Sequence, residues 1–167
     1  TGIDFSARFV KNAVQMKEQG IVKYKIKKEG ESYDAREVHA SEFGIDEETR
    51  DRCEFWQGDA CNLKPHFSGY DLIVAANLID RLYDPKKFLT DIPKRLNDKG
   101  VLVITSPYSW DEEHTKKDKW LTAEEGGGFE ALSHILSEHF ELISNPINVD
   151  FVLRESCRKF QHTISEV

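Results

Sequence analysis

Four polar residues directly follow short apolar segments of the sequence: Asp4, Asp59, Asn77 and Tyr108. A carboxylate in such a position can accept hydrogen bonds from ribose hydroxyls, and it then lies ~20 residues after a Gly-rich turn. Asp4 has this position, although capping of the next helix is an alternative role. Asp59, followed by the small residue Ala60, suits the exocyclic amine of an adenine, with an ordinary Gly-Asp turn as the alternative. Together the two carboxylates favour an adenosine ligand, without separating a nicotinamide cofactor from S-adenosylmethionine.

The segments around these residues alternate between the patterns of strands and helices. The runs YDLIVAANLI (70–79) and GVLVITSPY (100–108) are continuously apolar, which is typical of parallel strands covered by helices on both faces. Between them, Asp84-Pro85 begins a predicted helix over 84–97 with one apolar stripe. The other expected elements before residue 100 are a helix from Ser6 to Gly20, a loop with a short helix over 23–52, and a strand over 53–58. After it we expect a Gly-rich turn followed by a helix over 124–140, and final strands over 140–153 and 159–167.

This alternation predicts an α/β fold with a doubly wound sheet in one domain over residues 1–167. In such sheets the ligand lies beyond the carboxyl ends of the strands. We therefore expect the four polar residues to lie at that edge of the sheet.

Composition limits the classes of partner. The formal net charge of −7 argues against nucleic acid, because phosphate neutralisation requires a basic face. No apolar run approaches the ~20 residues of a membrane span. The three cysteines lack CxxC spacing, and no histidine pairs with one at ligand spacing, so we expect reduced thiols, a cytoplasmic protein and no metal site.

Several motifs resemble one methyltransferase family. GIDFSARF (2–9), QGDACNL (57–63), AANLIDRL (75–82), SPYSW (106–110) and FVLRE (151–155) occur in this family's order. They are similar to the C-terminal methyltransferase domain of the ovothiol-synthesis enzyme, which joins a 5-histidylcysteine sulfoxide synthase to a mercaptohistidine N-methyltransferase. AANLIDRL and SPYSW separate this group from other class I methyltransferases.

The resemblance implies a class I, Rossmann-like methyltransferase that uses S-adenosylmethionine and methylates a ring nitrogen of a thiolated histidine. It also implies that the first strand, the Gly-rich loop and the first helix are missing from this chain, which would then be a fragment inactive by itself, with a sulfoxide-synthase module as a candidate upstream partner. The implied cofactor-binding residues comprise a ribose ligand, residues beside the adenosine and residues beneath the methionine end: Asp4, Phe5, Ser6, Asp59, Ala60, Cys61, Asn77 and Leu78.

The thiolated histidine that accepts the methyl group requires a different set of residues. In a thiolated imidazole the sulfur anion raises ring basicity, so a base that removes or shares the proton is useful. Tyr108 is the first candidate for this base, with a packing role as its alternative. Asp80, Glu113 and His114 are the other candidates. The amino acid needs a partner for its carboxylate, which arginine matches in a bidentate manner. The predicted substrate-binding residues are Arg81, Tyr108, Trp110, Arg154 and Phe160, with surface ion pairs or packing as the alternatives.

A further expectation concerns a Gly-rich segment. Residues 120–128 (WLTAEEGGG) resemble a flexible flap, because three glycines restrain the backbone little. Two other functions remain open at this stage: another class I small-molecule methyltransferase, and a non-catalytic Rossmann-like domain in a multidomain protein.

Overall fold

A computed structural model describes residues 1–122 and 126–167, and residues 123–125 of the expected flap lie outside this description. The chain divides into a first unit, Thr1–Ala60 with Val152–His162, and a second unit, Cys61–Phe151 with Thr163–Val167. The single domain over 1–167 stays a prediction. The helices are α1 (Ala7–Gln19), α2 (Glu47–Asp51), α3 (Pro85–Asp91) and α4 (Gly128–Leu136). The strands are β1 (Gly2–Asp4), β2 (Ile21–Glu29), β3 (Ser32–His39), β4 (Phe55–Gln57), β5 (Tyr70–Ala76), β6 (Leu96–Thr105), β7 (Asn148–Arg154) and β8 (Phe160–Glu166).

In the first unit, β1 and β4 form a parallel pair that brings the sequence around Asp4 beside Gly58. The register pairs Asp4 with Gln57, and the Gly58 amide donates to the Asp4 carbonyl at 3.0 Å. Helix α1 follows Ser6 and ends where Gly20 adopts a left-handed φ of 67°, as expected of a C-terminal glycine. The predicted first helix is confirmed, and so is the strand predicted over 53–58, which the structure limits to Phe55–Gln57.

The loop predicted over 23–52 is wrong, because most of its first half forms an antiparallel hairpin. β2 pairs with β3 from Ile21 opposite His39 to Glu29 opposite Ser32. Lysines at 23, 25 and 27 alternate with Tyr24 and Ile26, which is the period of a half-exposed strand. The high charge of this segment conceals a strand pattern.

In the second unit, β5 and β6 form the other parallel pair, with Ala76 opposite Thr105 at their carboxyl ends. Helix α3 begins as expected at Asp84, whose side chain accepts the Lys87 amide, and a turn of 3₁₀ helix then leads directly into β6. The helix predicted to reach residue 97 therefore ends earlier. The core of this unit is formed mainly by residues after β5 and on the faces of α3 and α4: Ile79, Phe88, Leu89, Ile92, Ala131 and Leu132.

The mixed α/β content and the two parallel pairs fit a class I methyltransferase fold. The described residues form four two-stranded sheets rather than one doubly wound sheet, because β1 pairs only with β4 and β5 only with β6. β7 and β8 also pair, which confirms two final strands, although the one predicted over 140–153 begins only at Asn148. An isolated antiparallel bridge joins Ser106, just after β6, to Glu166 on β8. Within the described ranges, no helix combines the length and apolar content that a membrane crossing requires.

Candidate active site

The end of β1 presents an exposed carboxylate. Asp4 Oδ1 accepts the Ser6 amide at 2.7 Å, whereas the Ser6 side chain makes no capping bond. The alternative role of Asp4, fixing the start of α1, is therefore present in the structure. Its second oxygen, Oδ2, has no partner among the described residues, so one oxygen stays available to a ligand.

The end of β4 is shaped by a glycine in close contact with β1. A Cβ added to Gly58 would lie 2.7 Å from Ile3 Cγ2, which is too close for any side chain. This close packing places the half-buried Asp59 directly after the strand, and Ala60 then begins a turn of 3₁₀ helix. The first unit therefore carries two carboxylates at the ends of two paired parallel strands, as predicted.

In the second unit, two strained residues follow the ends of paired strands. Asn77 follows β5 with φ 48°, and Tyr108 follows β6 with φ 49°. Such values are uncommon for residues other than glycine, and they are concentrated at functional sites. Both residues were selected from the sequence for their position, but their strain is visible only in the structure.

The Asn77 side chain is oriented by two hydroxyl groups. Thr105 Oγ1 donates to Asn77 Oδ1 at 2.9 Å, and Ser165 Oγ donates to the same oxygen at 2.8 Å. The backbone N–H of Asn77 in turn donates to both the carbonyl oxygen and Oγ1 of Thr105. With Oδ1 occupied twice, Nδ2 remains as the donor of this carboxamide toward a ligand.

Asp80 is 1% exposed and connects the two strand ends. Its carboxylate accepts hydrogen bonds from Ser106 Oγ at 3.4 Å and from Ser109 Oγ at 3.0 Å, and it lies 3.6 Å from Arg81 Nη1. Arg81 also donates to the Ser109 carbonyl at 2.7 Å. A buried charge requires such partners, because removing one leaves it uncompensated. These contacts hold the segments after β5 and β6 together, and the predicted catalytic role of Asp80 and substrate role of Arg81 stay predictions.

Tyr108 is held on three sides. Its hydroxyl donates to Glu166 Oε2 at 3.0 Å, and its amide donates to Ser106 Oγ at 3.0 Å. A Cβ on Gly128 would lie 2.3 Å from the Tyr108 ring, so α4 begins against the ring itself. Burial, followed by the Glu166 hydrogen bond and the charges of Glu166 and Glu130, raises the pKa of Tyr108 well above its ordinary value. The tyrosine is therefore protonated at neutral pH and cannot act as a tyrosinate base.

The remaining predicted residues are divided between the units. In the second unit, Cys61 is buried and its thiol contacts the Asp84 carbonyl, while Leu78 and Trp110 are half-buried. In the first unit, Phe5 is largely exposed. Arg154 there lies over the Phe160 ring at 5.9 Å and donates to the Ser156 carbonyl. The structure thus joins Asn77, Asp80, Arg81 and Tyr108 in one network, whereas Arg154 and Phe160 form a separate pair.

Sequence reasoning missed Thr105, Ser165 and Glu166. The last two belong to β8, far along the chain from the residues they contact, and no local motif marks them. Their only signal was two polar residues at the end of a predicted strand. In the described part of the chain, no group of three or more His, Cys, Asp or Glu side chains could hold a metal ion.

One comparison decides the family. A model of the methyltransferase domain matches residues 33–144. The chain belongs to this family. The methyltransferase match includes Asp59, Asn77, Asp80 and Tyr108, whereas Asp4 and the end of β8 lie outside it. A comparison with curated proteins gave no match.

Proposed function

We propose that this methyltransferase domain transfers a methyl group from S-adenosylmethionine to an imidazole nitrogen of a thiolated histidine, the last step of ovothiol synthesis. The observation that carries the proposal is the pair of strained residues, Asn77 and Tyr108, at the carboxyl ends of β5 and β6. They stand in AANLIDRL and SPYSW, the two motifs that most distinguish the resembling family. A cytoplasmic location and a fused sulfoxide-synthase partner belong to the same proposal.

The residues of the first unit fit the nucleoside part of S-adenosylmethionine. Asp4 keeps one carboxylate oxygen for ribose hydroxyls, since only Oδ1 is used by Ser6. The Asp59 carboxylate accepts a hydrogen bond from the adenine amine. The absence of a Cβ at Gly58 permits the close packing of β1 and β4 that positions Asp59. Phe5, which is largely exposed, flanks the adenosine together with Ser6 and Ala60. The proposed cofactor-binding residues also include Cys61, which follows Ala60 and begins the second unit.

The residues of the second unit fit the methionine end and the acceptor. The Nδ2 group of Asn77 donates its N–H groups to the carboxylate at the methionine end of S-adenosylmethionine. Leu78, the next residue in the chain, lies beside the same ligand. The bound donor supplies a methyl carbon that its sulfonium already activates, so alignment and exclusion of water are the main tasks of the protein. Tyr108 and Trp110 flank the acceptor. Arg154, which lies over the Phe160 ring in the first unit, is the proposed partner of the amino-acid carboxylate.

A further strand, Gly-rich loop and helix complete the fold in this proposal. β5 has one hydrogen-bonded neighbour among the described residues, and Leu72 and Val74 on one of its faces are more than half exposed. Parallel strands are normally paired on both edges and covered on both faces. An added strand would pair with the open edge, and an added helix would cover the two apolar side chains.

Calorimetric titration of the full-length protein with S-adenosylmethionine tests the cofactor. Asp4→Ala removes a charged acceptor of ribose hydrogen bonds, so we expect affinity to fall about 10-fold to 100-fold. Asp98→Ala, which removes an exposed carboxylate before the apolar part of β6, is the matched control and should bind like the wild type. No heat of binding in the wild type, or equal affinity in the Asp4 and Asp98 variants, would contradict the proposal.

A further inference from the structure

The last strand supplies two consecutive side chains to the strained strand ends. Ser165 donates to Asn77, and Glu166 accepts the Tyr108 hydroxyl proton in a hydrogen bond of 3.0 Å. Ser106 and Glu166 also exchange two backbone hydrogen bonds, at 3.0 and 2.9 Å. The Glu166 carboxylate is therefore held in place by its own backbone, which is attached to the segment that carries Tyr108.

The orientation of the Tyr108 hydroxyl determines what it can bind. Its proton is directed to Glu166, so the lone pairs of the phenol oxygen remain for another donor. The ring cannot retreat toward α4, because it already fills the space where a Gly128 Cβ would lie. The negative charges of Glu166 and Glu130 act on the phenol, so a positively charged N–H donor is the ligand it favours.

We propose that Tyr108 and Glu166 together accept the proton of the acceptor nitrogen, with Tyr108 touching the substrate and Glu166 acting through it as a positioning residue. This inference rests on the proposed function only in taking a ring nitrogen that carries an N–H as the acceptor. It assigns a task to Glu166, which lies outside the matched family region.

The step balances without a further reagent. The N–H bond of the ring nitrogen breaks, and its electron pair, which lies in the ring plane outside the aromatic π system, forms the N–CH₃ bond. The methyl–sulfur bond breaks with its electron pair remaining on sulfur. The N–H proton moves to Tyr108 Oη while the Tyr108 proton moves to Glu166 Oε2. Tyr108 is thus a neutral phenol before and after the step, which agrees with its raised pKa. Glu166, which is half-buried, then returns the proton to water.

The test compares Glu166→Gln, Tyr108→Phe and the double variant in the full-length protein, with Glu130→Gln as the control. Glutamine keeps an acceptor for the Tyr108 hydroxyl but cannot take its proton. With thiolated histidine we expect Glu166→Gln to lower kcat by about 100-fold or more, the usual range for general base catalysis. KM should change by less than about threefold, and the double variant should be no slower than the slower single variant. Glu130→Gln, which removes a neighbouring charge without a hydrogen bond to the phenol, should keep kcat.

A second readout does not depend on activity. Alkaline titration of tyrosinate absorbance, with Tyr108→Phe subtracted, should show the Tyr108 pKa lowered in Glu166→Gln, because the carboxylate charge is gone. The other charged groups near Tyr108, Asp80 and Arg81, act through Ser106 and Ser109 and are unchanged in all variants.

The outcomes separate the inference from the proposed function. A Glu166→Gln enzyme with wild-type kcat would overturn the proton-accepting pair and leave the proposed function intact. An equal loss of stability and activity in Glu166→Gln, without a change in the Tyr108 titration, would also overturn it. A protein that ignores thiolated histidine but methylates another N–H acceptor, with the same loss in Glu166→Gln, would overturn the proposed substrate and support the pair.

Discussion

Replacing Gly128 with alanine tests whether α4 and Tyr108 meet as the structure has them. Gly128 is the first residue of α4 and does not have a positive φ, so alanine alone should stabilise the protein by about 0.4–1 kcal/mol. The new Cβ, however, would lie 2.3 Å from the Tyr108 ring. Overpacking of this kind costs about 1–3 kcal/mol, and losing the hydrogen bond to the charged Glu166 costs about 1.5–3 kcal/mol.

The costs exceed the gain, so Gly128→Ala should destabilise the protein by about 1.5–5.5 kcal/mol and lower its Tm by about 3–20 °C. Thermal unfolding is measured for Gly128→Ala, Tyr108→Ala and the double variant. In the Tyr108→Ala background the clash is absent, and the same glycine replacement should raise Tm. A higher Tm for Gly128→Ala in the wild-type background would refute the packing of α4 against Tyr108.

Two other predictions address acid stability and substrate binding. The Lys119 hydrogen bond holds the pKa of Asp84 below its usual value, so its contribution to stability is present above about pH 4 and is lost as the pH falls further. When the pH is lowered from neutral to strongly acidic, the free energy of unfolding measured in urea should therefore fall less for Asp84→Asn than for the wild type. An equal fall in both proteins would contradict this. Arg154→Ala should raise KM for the amino acid and leave kcat unchanged, and unchanged steady-state kinetics would remove Arg154 from the acceptor site.

The parallel strands could be predicted because the local sequence of each one already has the pattern of a buried strand. β5 and β6 are continuous apolar runs, and Asp84-Pro85 marks the start of α3 between them. The β2–β3 hairpin was missed because its lysines suggested a solvated loop, although Lys23, Lys25 and Lys27 repeat with a strand period. A half-exposed hairpin gains stability from pairing rather than from burial, and charge says little about pairing.

The candidate site was predicted in part for a similar reason. Asn77 and Tyr108 follow apolar strands, so their place at the strand ends could be inferred from the sequence. The role of Asp80 in joining these ends could not, because its partners Ser106 and Ser109 lie more than 20 positions later in the chain. Glu166 was missed because tertiary structure alone brings β8 to Tyr108.

The most direct test of the central claim is transfer of an isotopically labelled methyl group. The full-length protein is incubated with methyl-labelled S-adenosylmethionine and thiolated histidine, and the label in the product is located by nuclear magnetic resonance. We predict label on one ring nitrogen and none on sulfur. Label on sulfur, or an intact protein that binds the methyl donor yet transfers nothing to this amino acid, would contradict the account.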